Sequence, residues 1–191
     1  MIVAAMAVIG FIVAACKSSK NAGETHESMS ESQRLAEEYP YKRAWGEGVR
    51  ANKMDARWEA ELIATRQLSA RMEQMVQEVG NYATAGKDNS IASEEATEKL
   101  QKAMAVLSSD IKAGSKNVVS GHVIIKTDVF RKANGQYRVE VCMEVDPSMV
   151  AKKTTSHLKQ ILSESEREEL ENQLKQFQED SERWLNRRGG E

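Results

Sequence analysis

The residues that could do chemistry in this chain are few and lie far apart in the sequence. Its two cysteines are Cys16 and Cys142, and its three histidines are His26, His122 and His157. No HExxH, GxSxG or clustered cysteine–histidine pattern is present, so the sequence offers neither a zinc site nor an activated nucleophile. The carboxylates fall mostly on predicted helix surfaces, where solvation is their ordinary role. We therefore predict that the protein is not an enzyme and has no catalytic residue, metal ligand or cofactor-binding residue.

The composition limits the fold and excludes one class of partner. The chain has 191 residues, which suits one compact domain with accessory segments. Its 27 Lys and Arg against 29 Asp and Glu give a net charge of −2. A nucleic-acid binder would normally carry a strongly basic stripe, so nucleic acid is not an expected partner. With only two cysteines, a framework of disulfides is also excluded.

The N-terminal segment is apolar and ends at a cysteine. Residues Met1 to Ala15 carry no charged side chain, and the chain turns polar directly after Cys16. A helix needs about 20 apolar residues to cross a bilayer core of about 30 Å, but a shorter run suits the apolar part of a secretory signal. The four residues Val13-Ala14-Ala15-Cys16 resemble the bacterial lipobox, which implies removal of residues 1–15 and lipidation of Cys16. An ordinary buried segment is the alternative, and the abrupt change to Lys17-Ser18-Ser19-Lys20 argues against it.

This segment also predicts where the protein is held. A signal normally begins with Lys or Arg, and none precedes the apolar run here, so we expect an upstream start codon or an atypical signal. Each buried CH₂ contributes about 0.8 kcal/mol, so two or three acyl chains on Cys16 would hold the protein firmly to a membrane. Lys17 replaces the Asp that, in well-studied lipoproteins, retains the protein at the inner membrane. We therefore expect the outer membrane, with the protein facing the periplasm.

Two amphipathic helices are predicted in the first half of the chain. The first covers Ala51 to Val79 and is ended by Gly80; the second runs from the cap Ser93 to Ile111 and is closed by Gly114. The predicted core positions of the first helix are Met54, Trp58, Leu62, Leu68, Met72, Met75, Val76 and Val79, with Ala51, Ala56, Ala60, Ala64 and Ala70 among them. These alanines would allow the helix to approach a sheet closely. Those of the second are Ala96, Leu100, Ala103, Met104, Leu107 and Ile111.

Three strands are predicted around these helices. A short strand begins near Pro40 and runs into Gly46-Glu47-Gly48, which we interpret as a bulge or a tight strand-to-helix turn, because a lone GxG is weak evidence for a phosphate site. Period-two alternation then covers 119–130 and 137–145. A three-residue loop, Ala133-Asn134-Gly135 with Gly135 left-handed, keeps the apolar residues of both strands on one face. It predicts the pairs Val129–Val139, Ile125–Met143 and Val123–Val145. The opposite face, with Cys142 as a structural thiol, is then polar.

The C-terminal part is predicted to be helical. Asp146-Pro147 forms an N-cap with Pro at the first helical position, leading a helix over about 148–162. Ser163 and Glu166 form a capping box that begins a last helix, 164–188. Its apolar seam consists of Leu170, Leu174, Phe177, Trp184 and Leu185. Two interpretations remain open: the seam docks on its own domain, or it pairs with a helix of a protein partner or of a second copy.

Several of these features together resemble one family. They are the lipobox, the polar tether, the strand ending Ala44-Trp45-Gly46-Glu47-Gly48, the helix MDARWEAELIATRQLSARM and the strand GQYRVEVCMEV. In this combination the chain resembles the LPP-twenty-like lipoproteins of Gram-negative bacteria over about 43–145. The resemblance implies a small α/β domain without known catalysis and a role in the cell envelope. The only site residue that it carries over is the lipidated Cys16.

The expected organisation follows from these parts. Residues 1–15 are a signal peptide, 16–33 the lipidated cysteine and a flexible tether, 34–150 the domain, and 151–191 a C-terminal helical extension. We predict an α+β fold, a small mostly antiparallel sheet with helices packed on one face, plus the C-terminal helix. The first hypothesis for function is a non-catalytic envelope scaffold or protein-interaction module. The second is a module that binds a lipid or glycan in a pocket between sheet and helices, lined by Trp45, Trp58 and methionines.

Overall fold

The computed structural model describes residues 29–85, 93–113 and 121–190. Within these ranges the chain forms a three-stranded antiparallel sheet and six helices, which confirms the α+β class and the C-terminal helix. The strand order is β1-β3-β2, so β3 is central. The elements in chain order are α1 (Glu31–Glu38), β1 (Arg43–Arg50), α2 (Lys53–Ala85), α3 (Glu94–Lys112), β2 (Val123–Arg131), β3 (Tyr137–Glu144), α4 (Pro147–Ile161), α5 (Glu164–Glu169) and α6 (Glu171–Leu185).

The β2–β3 hairpin has the predicted three-residue loop. The backbone N–H of Lys132 donates to the carbonyl of Gln136 at 2.8 Å, which leaves three residues between them. Gly135 has a φ of 84°, a conformation that glycine adopts without steric cost. The predicted pair Val129–Val139 is confirmed.

A β-bulge changes the register toward the other end of the hairpin. It lies between Ile124 and Lys126, where Ile125 is an extra residue on β2. Such an insertion shifts every later pair by one position. The corrected partners are Met143 for Ile124 and Glu144 for Val123, in place of the predicted pairs Ile125–Met143 and Val123–Val145.

The two glycines of β1 serve close packing of strand and helix. They belong to a regular strand paired with β3, so the predicted bulge or turn is wrong. A Cβ atom on Gly46 would lie 2.1 Å from the carbonyl oxygen of Ala60, and one on Gly48 would lie 2.0 Å from that of Ala56. Glycine is therefore required at both positions, because a side chain would overlap the backbone of α2.

This approach also decides which side of α2 is buried. Ala56, Ala60 and Ala64 are completely buried, whereas the predicted core residues Met54, Trp58 and Leu62 are exposed, Trp58 to 73%. Large side chains on the sheet side would hold the helix away from the glycines, so α2 turns its alanines to the sheet. Ala51 and Ala70 are also exposed. In the second half of α2 the predicted core is confirmed at Leu68, Met72, Met75, Val76 and Val79.

The ends of the first two long helices differ in how well local sequence predicts them. Helix α2 continues through Gly80 to Ala85, so the predicted end is wrong. Gly80 instead faces Met104 of α3, whose Sδ lies 2.5 Å from where a Cβ would be. The Ser93 cap is confirmed, since its side chain accepts a hydrogen bond from the backbone N–H of Ala96. Gly114, the predicted end of this helix, lies outside the described residues.

The second face of the sheet carries a short helix. The long helices lie on the Val139 face, as predicted, and α1 packs on the other face, which was expected to be polar and open. There Ser32 and Ala36 of α1 are buried, together with Cys142 of β3. The backbone N–H of Ser32 donates to Asp128 at 2.8 Å, which fixes α1 over the sheet. Part of the predicted tether, residues 31–33, thus belongs to the folded body.

The C-terminal helices are joined to the rest of the core. The predicted Asp146 cap is confirmed, with its carboxylate accepting from the N–H groups of Ser148 and Met149. The predicted single last helix is instead two, α5 and α6, separated at Leu170, which is itself fully buried. The seam residues Leu170, Leu174, Phe177, Trp184 and Leu185 all lie in the same hydrophobic cluster as the residues of β3 and α2. In this structure the seam therefore docks on its own domain.

The capping box of α5 predicts a stability change in acid. The backbone N–H of Ser163 donates to Glu166 at 2.7 Å and Lys99 lies 2.9 Å from it, and these contacts lower the pKa of Glu166 to about 2. A carboxylate with a lowered pKa stabilises the fold above its ordinary value of 4.5, and this contribution is lost as the pH falls from 4.5 toward 2. We expect Glu166→Gln to reduce the loss of stability in this range, measured by urea unfolding at a series of pH values. Glu164→Gln, in the same turn but outside the box, is the control; equal pH profiles for wild type and Glu166→Gln would contradict the prediction.

Candidate functional site

The predicted lipidation site, Cys16, lies outside the described residues, as does His26. The first described element after it is α1, which begins at Glu31. None of the helices in the described ranges is long and apolar enough to cross a membrane. The predicted lipidation site and the described fold thus lie in separate parts of the sequence.

Cys142, the other cysteine, is enclosed on the α1 face of β3. It is fully buried, and this burial raises the pKa of its thiol to about 11. Arg43 acts in the opposite direction but does not offset the burial. A thiol with such a pKa stays protonated at neutral pH and is not a nucleophile. This agrees with the structural role predicted for Cys142.

The α1 face also holds a buried carboxylate that sequence reasoning missed. Glu140 was assigned to a polar surface, but it is only 3% exposed. One carboxylate oxygen accepts a hydrogen bond from the indole N–H of Trp45 at 3.1 Å, and the other lies 3.3 Å from Nε of Arg138. Both oxygens therefore have partners within the fold, which makes Glu140 a structural link between the strands. The period-two pattern could not reveal this, because it does not show that α1 returns to cover the face.

The two histidines of the described ranges, His122 and His157, belong to different parts of the fold. His157 lies on α4, where its ring nitrogen is 3.1 Å from a carboxylate oxygen of Asp110 on α3. His122 lies directly before β2. Within the described parts of the chain, no three His, Cys, Asp or Glu side chains come close enough together to hold a metal ion.

The residues proposed for a small-ligand pocket are not brought together. Trp45 lies on the α1 face of the sheet, hydrogen-bonded to Glu140, whereas Trp58 is exposed on α2 on the other side. Where α2 crosses β1, backbone atoms are in contact at Gly46 and Gly48 and leave no space for a ligand. A surface groove of about 610 Å³ lies elsewhere, between α2 and α3. Its lining is Val76, Gln77, Gly80, Asn81, Thr84, Gln101, Met104, Ala105 and Ser108.

The largest concentration of exposed apolar side chains lies on β2. Twelve large hydrophobic residues are exposed in the described ranges, and five of them belong to this one strand. We call these five the β2 edge surface: Val123, Ile124, Ile125, Val129 and Phe130. Three others, Met54, Trp58 and Leu62, form a stripe on the outer side of α2. Exposed apolar groups gathered in one place are typical of surfaces that contact another protein.

Comparison of the chain with protein-family models, with curated proteins and with solved structures found no match. The resemblance to the LPP-twenty-like lipoproteins therefore stays a prediction that rests on the sequence patterns given above.

Proposed function

We propose that this protein is a lipid-anchored lipoprotein of a bacterial envelope, related to the LPP-twenty-like lipoproteins, that acts as a scaffold through protein contacts. In this proposal, acyl chains on Cys16 hold it at the periplasmic side of the outer membrane. The folded body presents the β2 edge surface to another protein. It carries out no catalysis.

One observation carries the proposal: an apolar N-terminal run ends in Val13-Ala14-Ala15-Cys16 and is followed at once by a polar segment. Small residues before the cysteine suit the enzymes that attach lipid and cut the signal. The fourteen residues 17–30 separate Cys16 from the start of α1. A chain of this length spans at most about 50 Å, so the body would stay within that distance of the membrane surface.

The side chains that could do chemistry support contact rather than catalysis. Cys142 is buried and protonated, Glu140 has partners at both oxygens, and His157 pairs with Asp110. By contrast, Val123, Ile124, Ile125 and Val129 of β2 are apolar and exposed, and Phe130 is also exposed although its ring lies against the guanidinium of Arg138 at 4.4 Å. A body of this kind is suited to binding another protein.

The anchor is tested by metabolic labelling of the full chain with an alkyne fatty acid in a Gram-negative host. We expect the wild type to incorporate the label and to partition with outer-membrane vesicles. Cys16→Ala should lose the label completely, because its side chain has no thiol to take the diacylglyceryl group. Cys142→Ala is the matched control at the other cysteine and should keep the label. Retention of label by Cys16→Ala would refute the anchor.

The contact role is tested by photo-crosslinking in the envelope. A photoreactive residue is placed at Phe130 on the β2 edge surface and, as a control, at Val106, an apolar position on α3 that is somewhat more exposed. We expect a covalent adduct of defined mass from position 130 and none from position 106. Absence of any adduct at position 130 would argue against protein contact through this surface.

A further inference from the structure

The two edges of the sheet differ in how they are protected. On β1, the backbone N–H of Val49 donates to Glu59 of α2 at 3.2 Å, and Arg50 pairs with the same carboxylate. On β2, no strand of the described ranges pairs with the outer side. An open edge of nine residues exposes unpaired backbone donors and acceptors, which can pair with another strand. Sheet extension is thus available at β2 and hindered at β1.

We propose that the β2 edge pairs with β2 of a second copy, antiparallel, so that two three-stranded sheets join into one of six strands. The pairing is centred on Thr127 and covers 125–129, where the regular part of the edge begins at Lys126, directly after the bulge residue Ile125. This inference names the partner of the β2 edge surface and so rests on the contact role proposed above. It does not depend on the lipid anchor.

Symmetry and charge select this register. Two identical antiparallel strands in one sheet are related by a two-fold axis perpendicular to it, so opposed residues lie on the same face and both have odd or both have even numbers. If the two-fold axis passed between the two copies of Lys126, the two lysines would lie opposite each other. If it passed between the two copies of Asp128, the two carboxylates would lie opposite each other. An axis at Thr127 places Lys126 opposite Asp128 twice. Opposite charges in directly opposed positions favour pairing and like charges oppose it.

The apolar residues fit the same register. With the axis at Thr127, Ile125 of each copy lies opposite Val129 of the other, so exposed apolar side chains cover one another. Val129 is 42% exposed and Ile125 37% in the single chain. Helix α1 contacts the same strand through Lys126 and Asp128, whose partners are Glu31 and the backbone N–H of Ser32.

The register is tested by cysteine cross-linking of the full-length protein in its membrane. Thr127→Cys should form a disulfide-linked homodimer on mild oxidation, because opposed residues lie about 4.5–5.5 Å apart between Cα atoms, a separation that a disulfide bridges. Val129→Cys is the matched control. In this register its two copies would be four residues apart, about 13 Å, so we expect about tenfold less dimer. Absence of dimer at position 127, or equal dimer at both positions, would overturn the proposal.

A second pair of variants tests the surface itself. Val129→Lys in the Thr127→Cys background should lower the dimer yield about tenfold, because lysine on an edge strand opposes pairing. Val106→Lys makes the same change at an equally exposed site on α3 and should leave the yield unchanged. Dimer that persists with Val129→Lys would overturn the proposal; if that variant accumulates poorly, the comparison of positions 127 and 129 decides. A photo-crosslink from Phe130 to a different protein would also overturn it while leaving the proposed contact role intact.

Discussion

Gly46→Ala is expected to lower the stability of the fold by about 3 kcal/mol or more, because the added methyl group has no space. Its Cβ would lie 2.1 Å from the carbonyl oxygen of Ala60 and 2.8 Å from the backbone nitrogen of Ala64. Both are backbone atoms of α2, so the helix must move away from β1 as a unit. For a chain of this size the melting temperature should fall by roughly 2–4 °C per kcal/mol, that is about 10 °C. Thermal unfolding followed by circular dichroism measures the change.

Gly80→Ala is the matched control for this substitution. It is the same chemical change in the interior of α2, where alanine has a helix propensity about 1 kcal/mol better than glycine. The atoms nearest to the new Cβ, with Sδ at 2.5 Å, all belong to Met104, a flexible side chain that can turn aside. We expect a small change in the melting temperature. A loss at Gly80 as large as at Gly46 would contradict the argument that contact between backbones sets the cost.

Trp184→Ala is expected to cost about 3–5 kcal/mol, the usual range for removing a large buried aromatic side chain. Trp184 is 1% exposed, and its indole N–H donates to Glu78 of α2 at 2.8 Å. Its ring also meets the ring of Tyr41 edge-on at 4.6 Å between centroids. The substitution would leave a cavity between α6 and the rest of the core and remove the donor that lowers the pKa of Glu78. Urea unfolding gives the loss directly.

Trp58→Ala is the matched control for Trp184→Ala, because it removes the same side chain from an exposed position. Trp58 is 73% exposed, so we expect its removal to cost less than about 1 kcal/mol. Equal losses at the two tryptophans would mean that α6 does not dock as described.

Features that depend on neighbouring residues were predictable from the sequence. The caps at Ser93, Asp146 and Ser163 are confirmed, because each hydrogen bond closes within three residues of the capping side chain. The loop before Gln136 is confirmed for the same reason. The lipidation predicted for Cys16 also rests on neighbouring residues, and it stays a prediction until the labelling experiment is done.

Features that depend on contacts with distant segments were not predictable from the sequence. The burial of Glu140 requires α1, which lies about a hundred residues earlier in the chain. The exposure of Met54, Trp58 and Leu62 follows from two glycines on another element. A helical pattern shows that a helix is amphipathic, but here two stripes competed, one of large residues and one of alanines. Only the distance to β1 decided between them.

By itself, the sequence determined the α+β class, the hairpin loop, the helix caps and the order of apolar run, cysteine and polar segment, since each depends on composition or on residues a few positions apart. The tertiary structure alone decided that Met54, Trp58 and Leu62 of α2 turn away from the sheet, that α6 closes the core, and that β2 keeps an open apolar edge. These outcomes depend on which surfaces meet in space. Burial is a property of the whole packing arrangement, and no local pattern contains it.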